Sequence, residues 1–343
     1  MIDLSVIIPV YNAAPSINRT LDSIFNQQTS YAIEVILIDD GSKDNSIEII
    51  KTRKEANITL LRQKNEGPSA ARNNGIKTAQ GRYCAYLDAD DYWEQGFIEK
   101  TVSFLDNHPD CVAVNVAQRH LAVSGSFEIP SCYQEYKEAF ILEDFFTFWA
   151  KHMHVCTGSV LIRKEVINTI GGQRKDLRIT EDLEFWAMVS TYGQWGFIPE
   201  ILFVSDGGDV TRSQGWLNKM MIRWSNAPSI ADWEKRIVTR LPNELPAGYL
   251  KARGRISRNL TYCQLLSGRL TLSRQEALKY GRYFVKDPIG KLMNMTKHTP
   301  ITWWMLAKLQ LIWFLLMITS HLSKRLLKRE EVFLQISKRQ LYS

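Results

Sequence analysis

Carboxylate side chains gather at two points of the sequence, and each time they directly follow a run of apolar residues. The two clusters are Asp39-Asp40-Gly41-Ser42 and Asp88-Ala89-Asp90-Asp91. The second places three acids within four residues, and their mutual repulsion favours a nearby cation. Proteins hold a hard divalent ion with one or two carboxylates, and phosphate oxygens and water complete its shell. Asp88-x-Asp90 is suited to hold such an ion, whereas polar turns and helix caps are the structural alternative for either cluster taken singly.

The turn after the first apolar run lacks the glycine-rich motifs that bind phosphates through backbone N–H groups. It reads Pro9-Val10-Tyr11-Asn12-Ala13-Ala14, without G-x-G-x-x-G, and the chain has no Walker A lysine motif. A bound nucleotide diphosphate would therefore need another source of positive charge, which the divalent ion would supply.

Strands and helices alternate in the part of the chain that carries these clusters. Apolar runs at 6–8, 35–38, 60–61 and 83–87 predict four strands, and amphipathic segments that begin near Pro15, Asp44 and Pro68 predict the helices between them. Further strands are predicted at 112–116, 159–162, 195–198 and 201–204, with helices around 249–266 and 274–285. Near-continuous apolar strands separated by helices indicate a mostly parallel, doubly wound α/β sheet. Both acidic clusters then lie beyond the carboxyl ends of strands, where ligands bind in such sheets.

Four motifs in this region resemble family 2 glycosyltransferases of the GT-A fold. They are Ser5-Val6-Ile7-Ile8-Pro9-Val10-Tyr11-Asn12, Asp39-Asp40-Gly41-Ser42-x-Asp44, Asn65-x-Gly67-Pro68-Ser69-x-Ala71-Arg72-Asn73-x-Gly75 and Tyr86-Leu87-Asp88-Ala89-Asp90-Asp91. The match is dense over residues 1 to about 110. The resemblance implies a Rossmann-like GT-A domain and the transfer of a sugar from a nucleotide-sugar.

The same resemblance implies a role for several residues. Pro9, Tyr11 and Asp40, with Asp39 nearby, stand where relatives cradle uridine or another base, and Arg72 stands where they steady the nucleotide.

Asp88 would meet the ribose and share in metal binding, and Asp90 would ligate Mg²⁺ or Mn²⁺ on the diphosphate. The metal would stabilise the charge of the departing diphosphate as a Lewis acid.

A further acidic segment resembles the family motif that contains the catalytic base. It reads Thr180-Glu181-Asp182-Leu183-Glu184-Phe185-Trp186, and Asp182 is the expected base, with Glu181 as the second choice. Inverting transfer needs a group that takes the proton of the attacking hydroxyl. Capping of the helix after Thr180 is the alternative explanation for the acids, because acids favour the first turn of a helix.

The acceptor side is less clearly marked. Cys156-Thr157-Gly158-Ser159 resembles the acceptor-side strand entry of the family, so Gly158 is a candidate acceptor residue. Trp186 could stack on a sugar, although an aromatic on an apolar helix face more often belongs to the core. His152 and His154 lack the spacing to other ligands that a metal site requires. The string Met220-Met221-Ile222-Arg223-Trp224 lacks the Gln of the Gln-x-x-Arg-Trp motif of processive relatives, which favours one sugar per encounter.

Charge divides the chain into two unlike parts. Residues 1–210 carry 19 Lys+Arg against 29 Asp+Glu, and the rest carries 24 against 7. A strongly basic half implies an anionic partner, such as phospholipid, nucleic acid or a charged substrate. Five cysteines without a CxxC pair suggest neither a disulfide framework nor a zinc site and fit a reducing cytosol. The N-terminus does not resemble a secretory signal.

An apolar, tryptophan-containing segment at 301–322 accounts for part of this basic half. Lys308 and Gln310 interrupt it, and basic residues follow it at 324–329. A helix or hairpin lying in an anionic membrane surface fits these features better than a span, because a span needs ~20 apolar residues. A core or oligomer-interface helix is the alternative.

The sequence therefore predicts three regions: a GT-A catalytic domain at 1–210, a helical extension at 211–295 and an amphipathic, basic, membrane-associating tail at 296–343. By resemblance, the chain is an inverting, metal-dependent, non-processive enzyme that glycosylates a lipid-linked saccharide in surface polysaccharide synthesis. It would sit peripherally or monotopically on the cytoplasmic face of the plasma membrane. A nucleotidyltransferase and a basic nucleic-acid-binding protein are the rival functions; no nucleic-acid motif supports the second.

Overall fold

One mixed sheet forms the centre of the molecule. The structure is a computed structural model that describes residues 1–121, 127–128, 135–206 and 216–310. Within these residues ten strands join the sheet. They are β1 (Leu4–Val10), β2 (Ile33–Asp39), β3 (Ile58–Arg62), β4 (Tyr83–Tyr86), β5 (Tyr92–Trp93), β6 (Cys111–Leu121), β7 (Phe127–Glu128), β8 (Phe140–Ile141), β9 (Val160–Arg163) and β10 (Gln194–Ser205).

The order of the strands is β3-β2-β1-β4-β9-β6-β10-β5, with β7 on β6 and β8 on β10. The first four pair in parallel, and so do β6 and β10. Only β9 among the longer strands of the described sheet runs the other way, antiparallel to both β4 and β6. The carboxyl ends of β1, β2 and β4 therefore lie side by side at one edge of the sheet.

Helices cover both faces of the sheet. Alternation in β1 shows this division, because Ile7 belongs to one buried apolar cluster and its neighbours Val6 and Ile8 belong to the other. The helices between β1 and β10 are α1 (Ile17–Phe25), α2 (Ser46–Lys51), α3 (Pro68–Thr78), α4 (Phe97–Asn107), α5 (Phe145–His152), α6 (Lys164–Ile170) and α7 (Glu181–Val189). The helix α3 lies very close to the sheet at Gly75, where a Cβ would come within 2.6 Å of Ile7 and 2.7 Å of Ile38.

Helices follow the last strand. They are α8 (Trp216–Ser225), α9 (Ile230–Glu234), α10 (Ala247–Leu266), α11 (Leu270–Tyr280) and α12 (Pro288–Thr296), with 3₁₀ turns at Val238–Arg240 and Gly281–Tyr283. A further helix begins at residue 300 and continues to residue 310. The long helix α10 packs against α5, which lies between β8 and β9. Gly268, with φ +84°, separates α10 from α11.

The predicted fold class is confirmed: a mixed α/β sheet with helices on both faces precedes a helical region. The strands predicted at 195–198 and 201–204 form one strand, β10, whose register against β6 shifts between Ile198 and Ile201. The helix predicted from Asp44 begins at Ser46 after the cap residue Asn45. Asp44 accepts hydrogen bonds from Ser46 N at 3.1 Å and Ala14 N at 3.0 Å. Most of the predicted tail, residues 311–343, lies outside the described residues.

Candidate active site

A cavity of about 760 Å³ opens at the edge of the sheet where β1, β2 and β4 end. The sequence-predicted residues that line it come from five separate segments of the chain. They are Pro9, Tyr11, Asp40, Arg72, Asp88, Asp90, Glu181 and Asp182. Both acidic clusters and the later acidic segment thus contribute side chains to the same space.

Asp40 organises one wall of the cavity. Its carboxylate accepts hydrogen bonds from the backbone N–H of Glu66 and of Gly67, both at 2.9 Å, and from the side-chain amide of Gln63 at 2.9 Å. The side chain is buried, so these three donors replace the water it would lose. Asp40 therefore fixes the loop that leads into α3. Tyr11, which directly follows β1 and is half exposed, lines the same cavity.

An ion pair between Arg72 and Asp88 lines the cavity. The distance from Arg72 Nη2 to Asp88 Oδ1 is 2.5 Å, and the Arg72 side chain is only 4 % exposed. Arg72 Nη1 also donates to Gln173 Oε1 at 3.2 Å, and Asn73 exchanges two hydrogen bonds with the backbone of Gln173. The loop before α7 is thereby tied to α3 and to the end of β4.

Asp90 and Asp91 add two further carboxyl groups beside the Arg72–Asp88 ion pair. Burial, and then the charges of Asp88 and Asp206, raise the pKa of Asp90 to about 6. Burial, and then Asp88 and Asp90, raise the pKa of Asp91 to about 8. Asp91 accepts a hydrogen bond from Asp206 N at 3.0 Å, whereas Asp90 faces the cavity.

This arrangement fits a divalent cation at Asp90. Oxygen donors and an excess of buried negative charge suit a hard cation, which would favour the ionised carboxylates. Within the described residues, no group of three or more His, Cys, Asp and Glu side chains is placed to hold a metal ion by itself. A cation here would therefore take its remaining ligands from a diphosphate and water, as Mg²⁺ commonly does.

Glu181 and Asp182 lie at the first turn of α7, on another wall of the same cavity. Thr180 before them has φ +59°, a left-handed conformation that is uncommon for a β-branched residue. Burial raises the pKa of Asp182, and the positive charges of Arg72 and Arg223 offset part of this rise. Burial and the neighbouring Asp182 also raise the pKa of Glu181. Asp182 Oδ1 accepts a hydrogen bond from Leu183 N at 2.8 Å.

The helical extension holds α7 in place. Arg236 forms a two-pronged ion pair with the fully buried Glu184, with both N–O distances at 2.7 Å. Trp233 Nε1 donates to the carbonyl oxygen of Thr180 at 3.3 Å. Residues from the helical region after β10 thus hold the segment that carries the predicted base. Tyr249 and Arg253 of α10 bond in turn to Glu234 of α9.

Several cavity residues were not predicted as site residues. Arg19 donates to the carbonyl oxygen of Asp90 and to the carboxylate of Asp206, both at 2.6 Å. Thr157, next to the predicted Gly158, and Arg223 of α8 also line the cavity. The charge of Arg223 acts on Glu181 and Asp182. In the sequence Arg223 stands only in an incomplete processive motif, and no local pattern there predicts that α8 reaches the cavity.

Three predicted residues do not line the described cavity. Asp39 is 1 % exposed, and its carboxylate accepts hydrogen bonds from Ser42 N at 2.9 Å and Arg62 Nε at 3.2 Å, so it shapes the turn after β2. Trp186 is 1 % exposed and belongs to the core, which corrects its proposed stacking role.

Gly158 is likewise a structural residue. Its φ is +87°, a Cβ on it would lie 2.3 Å from the Phe203 ring, and its carbonyl oxygen accepts a hydrogen bond from Trp93 Nε1 at 2.7 Å. Close packing, and not contact with an acceptor, explains the glycine. His154 is buried among Phe145, Phe148 and Phe197, and neither it nor His152 lines the cavity.

Known proteins resemble this chain mainly through its first half. A glycosyltransferase of Escherichia coli strain K12, the uncharacterized YibD, is 50% identical over 90 residues, which is 26% of each chain. The minor teichoic acid biosynthesis protein GgaB of Bacillus subtilis strain 168 is 38% identical over 121 residues, 33% of this chain and 13% of GgaB. The chain thus spans much less than half the length of these curated relatives.

Solved structures share the fold over a longer stretch. S. aureus TarS 1-349 has a TM-score of 0.61 at 16% identity and covers 89% of this chain and 90% of its own. The structure of TarS 1-349 in complex with UDP has the same TM-score and identity and covers 90% of both chains. The family model described as Glycosyl transferase family 2 matches residues 5–171, the region that supplies most of the cavity. The chain therefore contains a region, residues 5–171, that matches family 2 of the glycosyltransferases.

Proposed function

We propose that the chain is an inverting, metal-dependent glycosyltransferase that uses a nucleotide-sugar, with UDP as the nucleotide. One observation carries this proposal: a single cavity joins Asp40, Asp88 and Asp90, at the ends of β2 and β4, to Glu181 and Asp182 of α7. A donor bound at Asp40, Asp88 and Asp90 would direct its sugar towards Glu181 and Asp182. The structure of TarS with UDP, which has this fold, supports the choice of nucleotide.

The side chains divide the work between binding and proton transfer. Tyr11 and Pro9 form an apolar surface for the nucleotide base. Asp40 holds the loop that leads into α3 in one conformation beside this surface. Arg72 neutralises Asp88 and keeps it in position for a ribose hydroxyl. A divalent cation on Asp90 would offset the charge that develops on the leaving diphosphate.

Asp182 takes the proton of the attacking hydroxyl. Its Oδ1 is engaged by Leu183 N, which leaves Oδ2 as the atom that receives the proton. A raised pKa suits a general base, because basicity rises with pKa as long as the group stays ionised at the working pH. The attack is in line with the leaving diphosphate, so the anomeric configuration inverts.

The activity is tested by incubating the protein with a panel of nucleotide-sugars and Mn²⁺, with water as the sugar acceptor, and measuring release of the nucleoside diphosphate. We expect release from a UDP-sugar, and loss of release in Asp182→Asn with donor binding retained. Asp110→Asn, an exposed residue at the other end of the sheet, is the matched control and should keep full activity. Release of pyrophosphate would indicate a nucleotidyltransferase, and full turnover by Asp182→Asn would refute the assignment of the base.

The acceptor that we propose is a lipid-linked saccharide of a bacterial surface polysaccharide, which receives one sugar per encounter. The resemblance to GgaB, named for minor teichoic acid biosynthesis, supports a surface polymer. Assays with lipid extracts that contain such acceptors, and a nucleotide-sugar labelled in its sugar, test this part. The label should enter the lipid fraction as a single residue; a ladder of products would contradict one-step transfer.

We also propose that the chain binds an anionic membrane surface on the cytoplasmic side. Within the described residues, no helix combines the length and apolar character needed to cross a membrane. The helix at 300–310 nevertheless leaves large apolar side chains exposed. They are Ile301, Trp304, Met305 and Leu309, at 72, 51, 51 and 62 %. Lys308 is exposed beside them, with its Nζ 5.7 Å from the centre of the Trp304 ring, as expected of a surface that meets apolar chains and anionic headgroups.

Sedimentation with vesicles tests the membrane proposal. The full chain should sediment with vesicles that contain phosphatidylglycerol and should remain partly bound at high salt, because apolar insertion is not screened. The double variant Ile301→Ser/Leu309→Ser should lose this binding, whereas Leu278→Ser, exposed on α11, should keep it. Equal binding by all three proteins, or none by the unaltered chain, would contradict the proposal.

A further inference from the structure

A second, smaller cavity of about 240 Å³ adjoins the active-site cavity. Gly67, Pro68, Glu181 and Arg223 line both of them, so the two spaces share a boundary at the first turn of α7. An acceptor that reaches Asp182 from this side would pass through the second cavity.

Positive charge dominates the lining of this second cavity. Lys175, Arg178 and Arg223 face two carboxyl groups, those of Glu66 and Glu181. Lys175 lies 4.0 Å from Glu66, and both side chains are more than half exposed, so the pair is weak and exchangeable. Arg178 Nη1 donates to the carbonyl oxygen of Glu66 at 3.1 Å, which leaves the rest of its guanidinium for other acceptors.

The N-terminus of α3 adds partial positive charge at the same place. Pro68 and Ser69, the first two residues of this eleven-residue helix, line the cavity, and no side chain caps the helix. Pro68 has no N–H, so the donors of the first turn begin at Ser69. N–H groups in the first turn of a helix have no partner within the helix and attract anions. The cavity thus combines guanidinium, ammonium and helix N–H donors, which are the groups that proteins use to bind phosphate.

Glu181 supplies a different kind of contact. The residue is 7 % exposed, and its Oε2 atom has no hydrogen-bond partner among the described residues. A buried carboxyl oxygen without a partner is costly unless a ligand satisfies it. A hydroxyl group next to the phosphate, on the side of the cavity that borders Asp182, would do so.

We infer that the second cavity is the acceptor subsite and that it takes a hydroxyl-bearing unit that carries a phosphate. The phosphate lies against Lys175, Arg178 and the start of α3, and a hydroxyl lies against Glu181, beside the base Asp182. This inference rests on the proposed function, because it assigns the acceptor of that same reaction.

Calorimetric titration with sn-glycerol 1-phosphate tests the inference. The full chain is first saturated with UDP and Mg²⁺, which fills the donor cavity, and the UDP titration itself reports on the proposed function. We expect the phosphate ester to bind the loaded protein, and Lys175→Ala/Arg178→Ala to weaken this binding about ten-fold while UDP affinity stays unchanged. Lys51→Ala/Lys54→Ala removes two exposed lysines near the end of α2 and should bind like the unaltered chain.

Two further arms keep the outcome clear. Lys175→Arg/Arg178→Lys retains both charges and should restore most of the binding, which separates lost charge from misfolding. Inorganic phosphate, which lacks the carbon-bound hydroxyls, should bind more weakly than the ester. Equal ester binding by the alanine variant, no binding by the unaltered chain, or equal binding of inorganic phosphate would overturn the inference. If UDP does not bind, the proposed function fails, and the ester titration can still be read without it.

Discussion

The ion pair between Arg236 and Glu184 offers a sharp test of how the helical extension supports α7. Glu184 is fully buried, and its two oxygens each lie 2.7 Å from a nitrogen of Arg236, whose side chain is 26 % exposed. Removing one partner of a buried pair leaves an uncompensated charge, which costs roughly 3 to 5 kcal/mol. Arg236→Met should lower the free energy of unfolding by this amount. The midpoint of thermal unfolding should then fall by about 6 to 10 °C, at ~2 °C per kcal/mol for a chain of this size.

A double-mutant cycle separates this effect from ordinary damage. Glu184→Met should cost less, about 1 to 3 kcal/mol, because the partly exposed Arg236 can turn towards water. The double variant Arg236→Met/Glu184→Met replaces the pair with apolar side chains and should recover most of the stability. Arg240→Met, an exposed arginine on the same segment, is the control and should change stability by less than about 1 kcal/mol. Additive losses in the double variant would refute the assignment of Arg236 as the partner that neutralises Glu184.

Three further predictions concern the cavity and its support. Arg223→Gln removes a positive charge that favours ionised Asp182, so the acid limb of the pH profile of kcat/KM should move to higher pH; an unmoved limb at low salt would contradict this. Tyr11→Ala should weaken UDP binding about ten-fold in calorimetry, because its ring stacks on the nucleotide base. Tyr92→Ala removes another tyrosine ring and serves as the control variant in the same titration. Gly158→Ala should destabilise the protein by at least ~1 to 3 kcal/mol in chemical unfolding, because a Cβ strains the left-handed backbone and meets Phe203; wild-type stability would show that the contact relaxes freely.

Local patterns in the sequence were enough to predict the parallel strands β1 to β4 and the acids at their carboxyl ends, but not the short strands β5, β7 and β8 or the antiparallel direction of β9. Apolar runs predicted β1, β2 and β4. Because these strands are parallel, the acids that directly follow β2 and β4 lie at the same edge of the sheet.

Side-chain direction and distant contacts were beyond what the sequence could give. Asp39 and Asp40 are neighbours of the same type, yet one faces the turn and the other the cavity. Trp186 follows an acidic motif but points into the core, because its helix is buried on several sides. Arg223, which lies more than 40 residues beyond Asp182 in the sequence, reaches the cavity from α8, and no periodicity encodes such a contact.

The central claim is that Asp90 and a divalent cation together hold the diphosphate of the donor. Calorimetric titration of UDP, with Mg²⁺ and then with EDTA, measures this most directly in the unaltered chain, in Asp90→Ala and in the control Asp110→Asn. The account predicts that Mg²⁺ strengthens UDP binding about ten-fold or more in the unaltered chain and the control, and has little effect in Asp90→Ala. Equal UDP affinity with Mg²⁺ and with EDTA in the unaltered chain, or a full Mg²⁺ effect in Asp90→Ala, would contradict it.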